Sequence, residues 1–203
     1  MYCRSIDKVS EIFITLKTQL GIQALESGIQ DASHLLVEMY HKSSHDTSKD
    51  RVMRAFSQKE GNVQSVIATI ALGMGIDIPD IDLIVHVGCP KSVISYWQEA
   101  GRCARDGRQG FSYILFDNFT ASLKTTEKTM AHIVKNPENT CIRQQVMNVF
   151  AVCDDDTLNN TSRCEGCTDT PCSCPACKCC SVCCKKCPCS EKRAMDVATF
   201  LSI

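Results

Sequence analysis

Ser65-Val66-Ile67-Ala68-Thr69, Leu83-Ile84-Val85-His86-Val87 and Phe111-Ser112-Tyr113-Ile114-Leu115-Phe116 are short runs rich in β-branched and aromatic residues. Such runs predict buried strands. Further upstream, Leu35-Leu36-Val37-Glu38-Met39-Tyr40 is another candidate, and Met1 to Arg4 reads as the last few residues of one more. The segments between them have helical period. Ser5 caps a helix in which Val9, Ile12, Phe13, Leu16 and Leu20 recur, and Gly21 closes it. A short amphipathic helix runs from about Thr47 to Phe56, with Val52 and Phe56 inward, and Gly61-Asn62 turns the chain. Pro90 and Ser92 start a third helix, which is expected to carry Tyr96, Trp97 and the two arginines beyond them. Strands alternating with helices imply an α/β fold, a parallel sheet covered on both faces. Ligands gather at the C-terminal ends of such strands, and both glycine-rich runs of the chain are expected there.

Composition narrows the function classes. No apolar run approaches the roughly 18 residues that span a bilayer. Met1-Tyr2-Cys3-Arg4 has no signal-peptide pattern, so an intracellular protein is the default. The net charge of -1 argues against a free-standing basic nucleic-acid binder. Any such contact must be local or shared with a partner chain. Cysteine is the outlier, with 16 residues. Cys3, Cys89, Cys103, Cys141 and Cys153 are scattered, and the rest fall between Cys164 and Cys189. In a reducing compartment this density favours metal thiolates over disulfides.

Two runs carry the chemistry. Gln98-Glu99-Ala100-Gly101-Arg102-Cys103-Ala104-Arg105-Asp106-Gly107 places two arginines three apart, on one face if the run is helical. Their guanidinium forks suit phosphate oxygens. Flanking glycines let a backbone or a phosphate come close. The bland alternative is a solvated basic face. Upstream lies Ala68-Thr69-Ile70-Ala71-Leu72-Gly73-Met74-Gly75-Ile76-Asp77, for which the lesser alternative is a tight strand-to-loop turn that needs its glycines for backbone geometry alone.

The order Tyr2-Cys3-Arg4-Ser5, Met39-Tyr40-His41, Ala68 to Asp77, and Ser95-Tyr96-Trp97-Gln98 through Gly107 resembles the RecQ family of DNA helicases. The resemblance covers the family's second RecA-like motor lobe, about residues 1–118, with the first strand cut short. It implies a small helical zinc-binding subdomain over 119–170. A Cys-rich segment over 171–190 and a short amphipathic helix over 191–203 come after it. By resemblance, Arg105 is an arginine finger, Arg102 its companion at the phosphates of ATP, and Gln98 helps to orient the site. Gly101, Gly75 and Asp77 belong to the nucleotide side. Arg4, Ser5, Thr69 and Gly73 contact the backbone of single-stranded or forked DNA. Phosphate contacts of this kind position without reading sequence. Ser5 as a plain helix cap and His41 as a plain loop residue stay open. The family has Gly where this chain has Ala104, a methyl that a helix would tolerate but that bears on close phosphate approach. Cys103 reads as packing, with no base beside it.

For the cysteines, Cys141, Cys153 and the Cys164-Glu165-Gly166-Cys167 pair give four thiolates suited to tetrahedral zinc, with Cys172 the alternative to Cys153. The family has Arg-Arg after the first cysteine, where this chain has Ile142-Arg143. From Cys172 onward the spacing and interleaved lysines resemble metallothionein composition, which makes a multi-metal cluster one option and a low-complexity extension another.

The chain contains no Gly-Lys pair and no Asp-Glu-x-His run, so it carries neither a P-loop nor the acidic motif that positions magnesium. The expectation is one half of an ATP- and magnesium-dependent 3′–5′ helicase, inactive alone and partnered by a missing first lobe. The family implies a nuclear location. The runner-up is a non-catalytic module that holds DNA or a protein. Metal storage or sensing by the tail is third.

Overall fold

The computed structural model describes residues 1–24, 35–58, 61–73, 78, 81–105, 107–151 and 179–187. Two compact units divide the chain, Met1–Ala131 and His132–Ile203.

In the first unit, five parallel strands form one sheet: β1 Tyr2–Cys3, β2 Val37–Tyr40, β3 Ser65–Ala68, β4 Leu83–Val87 and β5 Phe111–Leu115. Their order is β2-β3-β1-β4-β5. The two-residue β1 is central, with Tyr2 paired to Ala68 on one side and to His86 on the other. Parallel neighbours need crossovers, supplied here by α1 Ile6–Leu20, α2 Asp46–Ser57 and α3 Val93–Ala100.

The pleat sorts side chains between two cores. Tyr2, Val66, Ala68 and Ile84 join Val52 and Leu72 on one face, with Met53 and Phe56 of α2 packed against them. Cys3, Val37 and Ile67 join Val9 on the other, under Ile12, Phe13 and Leu16 of α1. Adjacent strand residues thus go to opposite faces, which is why the strands read as continuous apolar runs. The Ser5 hydroxyl accepts from the Lys8 N–H at 3.2 Å, so Ser5 is the N-cap of α1.

Two expectations shift. The third helix ends at Ala100, before the arginines. Gly101 caps it, and the Arg102 and Cys103 N–H groups bond back to the carbonyls of Glu99 and Ala100. These are the three-residue closures of a tightening turn. Ala104 then enters the left-handed region at φ 52, where no helix continues. The arginine run also does not sit at the C-terminal ends of the strands. A helix joining two parallel strands returns antiparallel to them, so the chain leaving it arrives where the next strand begins. The Ala104 N–H accordingly donates to Ile81 O at 2.8 Å, just before β4.

Beyond β5 lie α4 Asn118–Ser122, α5 Lys128–Lys135, α6 Ile142–Phe150 and α7 Ser181–Lys186. The expected helix over 191–203 lies outside the described residues. Among the described residues no helix is long and apolar enough to cross a membrane.

Candidate functional site

A shallow cavity opens at the C-terminal ends of β1, β3 and β4, lined by Arg4, Thr69, Ile70, Gly88, Lys91 and Ser95 among others. Arg4 is engaged within the protein. One terminal nitrogen donates to Cys89 O at 2.7 Å and to the Thr126 hydroxyl at 2.5 Å; the other donates to the Thr125 hydroxyl at 2.9 Å. It ties the end of β1 to the segment after α4. Thr69 directly follows β3; its hydroxyl accepts from the Ala71 N–H at 3.4 Å and opens the turn Ile70–Gly73. Gly73 closes that turn, while Gly75 and Asp77 lie outside the described residues. His41 sits in the turn after β2, its N–H bonded to the Ser44 hydroxyl.

The arginine turn is fastened at both ends. Ala104 and Cys103 hold one end to the entry of β4, the Cys103 thiol lying 3.2 Å from Asp82 O. Burial pushes that thiol's pKa up, away from reactivity. At the other end, Glu99 is buried and accepts from His86 Nε2 at 2.8 Å. His86, 2% exposed, is stacked on Tyr2 at 5.5 Å and tilted against Tyr96 at 5.2 Å. Arg102 is half-buried, Arg105, Gly101 and Gln98 are exposed, and Arg105 Nε donates to Gly101 O at 3.4 Å. The Tyr2 hydroxyl senses this group: burial pushes its pKa up to about 12, with the Arg102 and Arg105 charges opposing and Glu99 reinforcing. Neither His86 nor Glu99 stands out in the sequence. A histidine inside an apolar strand reads as core, and only the crossover brings Glu99 to it.

In the second unit, four thiols converge: those of Cys141, Cys179, Cys180 and Cys183 all lie within 4.8 Å of one another. Cys141 Sγ is 3.5 Å from Cys179 Sγ and 3.9 Å from Cys180 Sγ. Zinc–sulfur bonds of about 2.3 Å at tetrahedral angles put sulfurs about 3.8 Å apart, so these residues fit the metal. Two of the thiols cap helices. Cys141 Sγ accepts from the Gln144 N–H at the start of α6, and Cys180 Sγ from the Cys183 N–H at the start of α7. Burial disfavours the Cys180 thiolate, but the N–H groups of Cys183, Ile142 and Val182 outweigh it and hold its pKa below the ordinary value. Burial and neighbouring thiols push Cys179 up to about 11 and raise Cys183 as well. Metal coordination is what would ionise those two. Of the ligands expected from sequence, Cys141 belongs to this group; Cys153, Cys164, Cys167 and Cys172 lie outside the described residues. The Cys180-x-x-Cys183 pair is visible in the sequence, but among so many cysteines spacing alone does not single it out.

The parallel sheet with its strand-end cavity and arginine turn defines a RecA-like helicase lobe. The helicase conserved C-terminal domain model matches residues 2–107, more than half of the chain, and the chain belongs to that family. It is 29% identical over 154 residues to human ATP-dependent DNA helicase Q4, covering 75% of this chain and 12% of that protein. It is 37% identical over 106 residues to Pasteurella multocida ATP-dependent DNA helicase RecQ, covering 52% of this chain and 14% of that one. The lobe is thus of RecQ type, and the chain spans a small part of these relatives' length. The structure of Mycobacterium smegmatis helicase Lhr bound to ssDNA and AMP-PNP is similar in fold, with a TM-score of 0.52 at 21% identity, covering 72% of this chain and 16% of that one.

Proposed function

We propose that the chain is the second motor lobe of a RecQ-like, ATP-dependent 3′–5′ DNA helicase. The supporting observation is the turn carrying Arg102 and Arg105, fastened at one end to the segment entering β4 and at the other, through Glu99, to His86 of β4, and exposed at Arg105. Arg105 is the finger that stabilises charge on the transferring phosphoryl group, a role worth about 10³–10⁵ in rate in related enzymes. Arg102 holds the phosphates beside it, and Gln98 and Gly101 border the same site. Gly75 and Asp77 belong to the nucleotide side by family resemblance. Donors to phosphate are present, but a magnesium-holding motif is not, so a first lobe supplies the rest. Thr69, Gly73 and the α1 N-terminus at Ser5 border the DNA backbone at the opposite edge of the sheet, about 16 Å away across the five residues of β4. Arg4 shapes that edge. Both relatives are DNA helicases by name, which supports DNA as the track, and a nuclear location follows from family resemblance alone.

The four-thiol group holds one zinc ion, which would supply much of the folding free energy of the second unit. Metal analysis of the purified chain is expected to give one zinc per chain, lost in Cys141→Ser. A higher stoichiometry indicates a further cluster in the Cys-rich segment, and no zinc in the wild type contradicts the site. The purified chain is expected to show no DNA-stimulated ATPase. Turnover that Arg105→Ala abolishes would overturn the division of labour between lobes.

A further inference from the structure

We infer that His86 and Glu99 form a buried latch that sets the position of the Arg102–Arg105 turn; both are positioning residues. The inference rests on the reading of these arginines as phosphate ligands. Glu99 is buried one residue before the end of α3, and with His86 it forms part of the wall of the strand-end cavity. The Glu99 carboxylate reaches 2.8 Å across to His86 Nε2 on β4. A carboxylate only accepts, so the imidazole donates. The carbonyl of the same Glu99 accepts from the N–H groups of Gly101 and Arg102. One residue therefore grips the sheet with its side chain and the arginine turn with its backbone. His86 cannot tilt to follow a moving Glu99, because Tyr2 stacks on one side of it and Tyr96 leans on the other.

A buried charged contact of this kind contributes little net stability compared with an apolar pair of equal volume. What it supplies is a fixed length and direction. The second fastening, Ala104 N–H to Ile81 O, holds the far end of the turn. With both in place, the backbone between residues 99 and 104 is anchored to β4 and to the segment entering it. Releasing the His86 anchor leaves a hinge at Ala104. Misplacement of a phosphate-binding fork by about 1 Å is enough to lose most of its bidentate contact.

Tripolyphosphate titrated into the full chain, with the heat of binding measured by calorimetry, tests this. Arg102→Ala with Arg105→Ala is expected to remove binding. His86→Leu and Glu99→Asp, which shortens the reach by one methylene, are expected to weaken it by about tenfold. His86→Gln places an amide donor near the position of Nε2 and is expected to restore binding to within about threefold of wild type. The arginine Nε–H resonances of Arg102 and Arg105 should shift in His86→Leu and return in His86→Gln. If the arginine variants bind like wild type, the phosphate reading fails. If they lose binding while Glu99→Asp, still melting cooperatively, binds like wild type, the latch is overturned. If His86→Leu does not fold, the comparison of Glu99→Asp with His86→Gln decides.

Discussion

Ala104 occupies a conformation that its side chain disfavours, and the cost can be worked out. Its φ is 52, in the left-handed region. An L-residue there loses roughly 1–2 kcal/mol to contact between Cβ and its own carbonyl. Glycine removes that cost but gains freedom in the unfolded chain, which takes back about 0.4–1 kcal/mol. Ala104→Gly should therefore stabilise the first unit by about 0.5–1 kcal/mol, raising its melting temperature by about 2–4 °C. The backbone bond from residue 104 to Ile81 O, 2.8 Å long, survives the change. The assay is thermal or urea unfolding monitored by fluorescence of Trp97, the single tryptophan, which sits on α3 directly before the turn. Ala104→Val adds a β-branch to the same strained position and should lower stability below wild type. An Ala104→Gly variant no more stable than wild type refutes this, because it would mean that residue 104 carries no left-handed strain.

The same geometry has other consequences. Arg4→Ala removes donors to two carbonyls and two hydroxyls and should cost about 2–3 kcal/mol in urea unfolding, with Arg4→Lys unable to restore it; a purely DNA-facing arginine would leave stability unchanged. Tyr2 has a folded pKa of about 12 against an ordinary 10.0. The folded state resists its ionisation, so its contribution is complete below pH 10.0 and is lost as pH rises to about 12. Across that window wild type should lose about 2–3 kcal/mol more stability than Tyr2→Phe; parallel pH profiles would contradict the buried phenol. A strong chelator should open the second unit, His132–Ile203, to limited proteolysis while sparing the sheet, and unchanged cleavage would count against a structural metal.

The strands are legible in the sequence because a parallel sheet buried on both faces leaves nearly unbroken apolar runs, as in Val66-Ile67-Ala68. Ser5 is legible because a cap is a local event. The end of α3 is not. Arg102 and Arg105 keep helical spacing, and only the three-residue closures at Gly101 to Cys103 and the left-handed Ala104 show that the helix has stopped. The edge at which the turn sits comes from the antiparallel return of a crossover helix, a property of topology that no single segment displays. His86 and Glu99 stand thirteen residues apart and meet only through that crossover. The cysteine ligands are half legible. Cys141 is among the four thiolates expected from the sequence, whereas its companions Cys179, Cys180 and Cys183 lie about forty residues on, in a segment where many spacings compete.

The central proposal is that this lobe supplies the arginine half of an ATP site that another lobe completes. The most direct test joins the chain to the first lobe of the Pasteurella multocida RecQ relative, the lobe expected to bear the P-loop, and measures DNA-stimulated ATP hydrolysis. Turnover is expected in the joined protein, with a loss of about 10³-fold or more in Arg105→Ala. Turnover that survives Arg105→Ala unchanged would contradict the assignment.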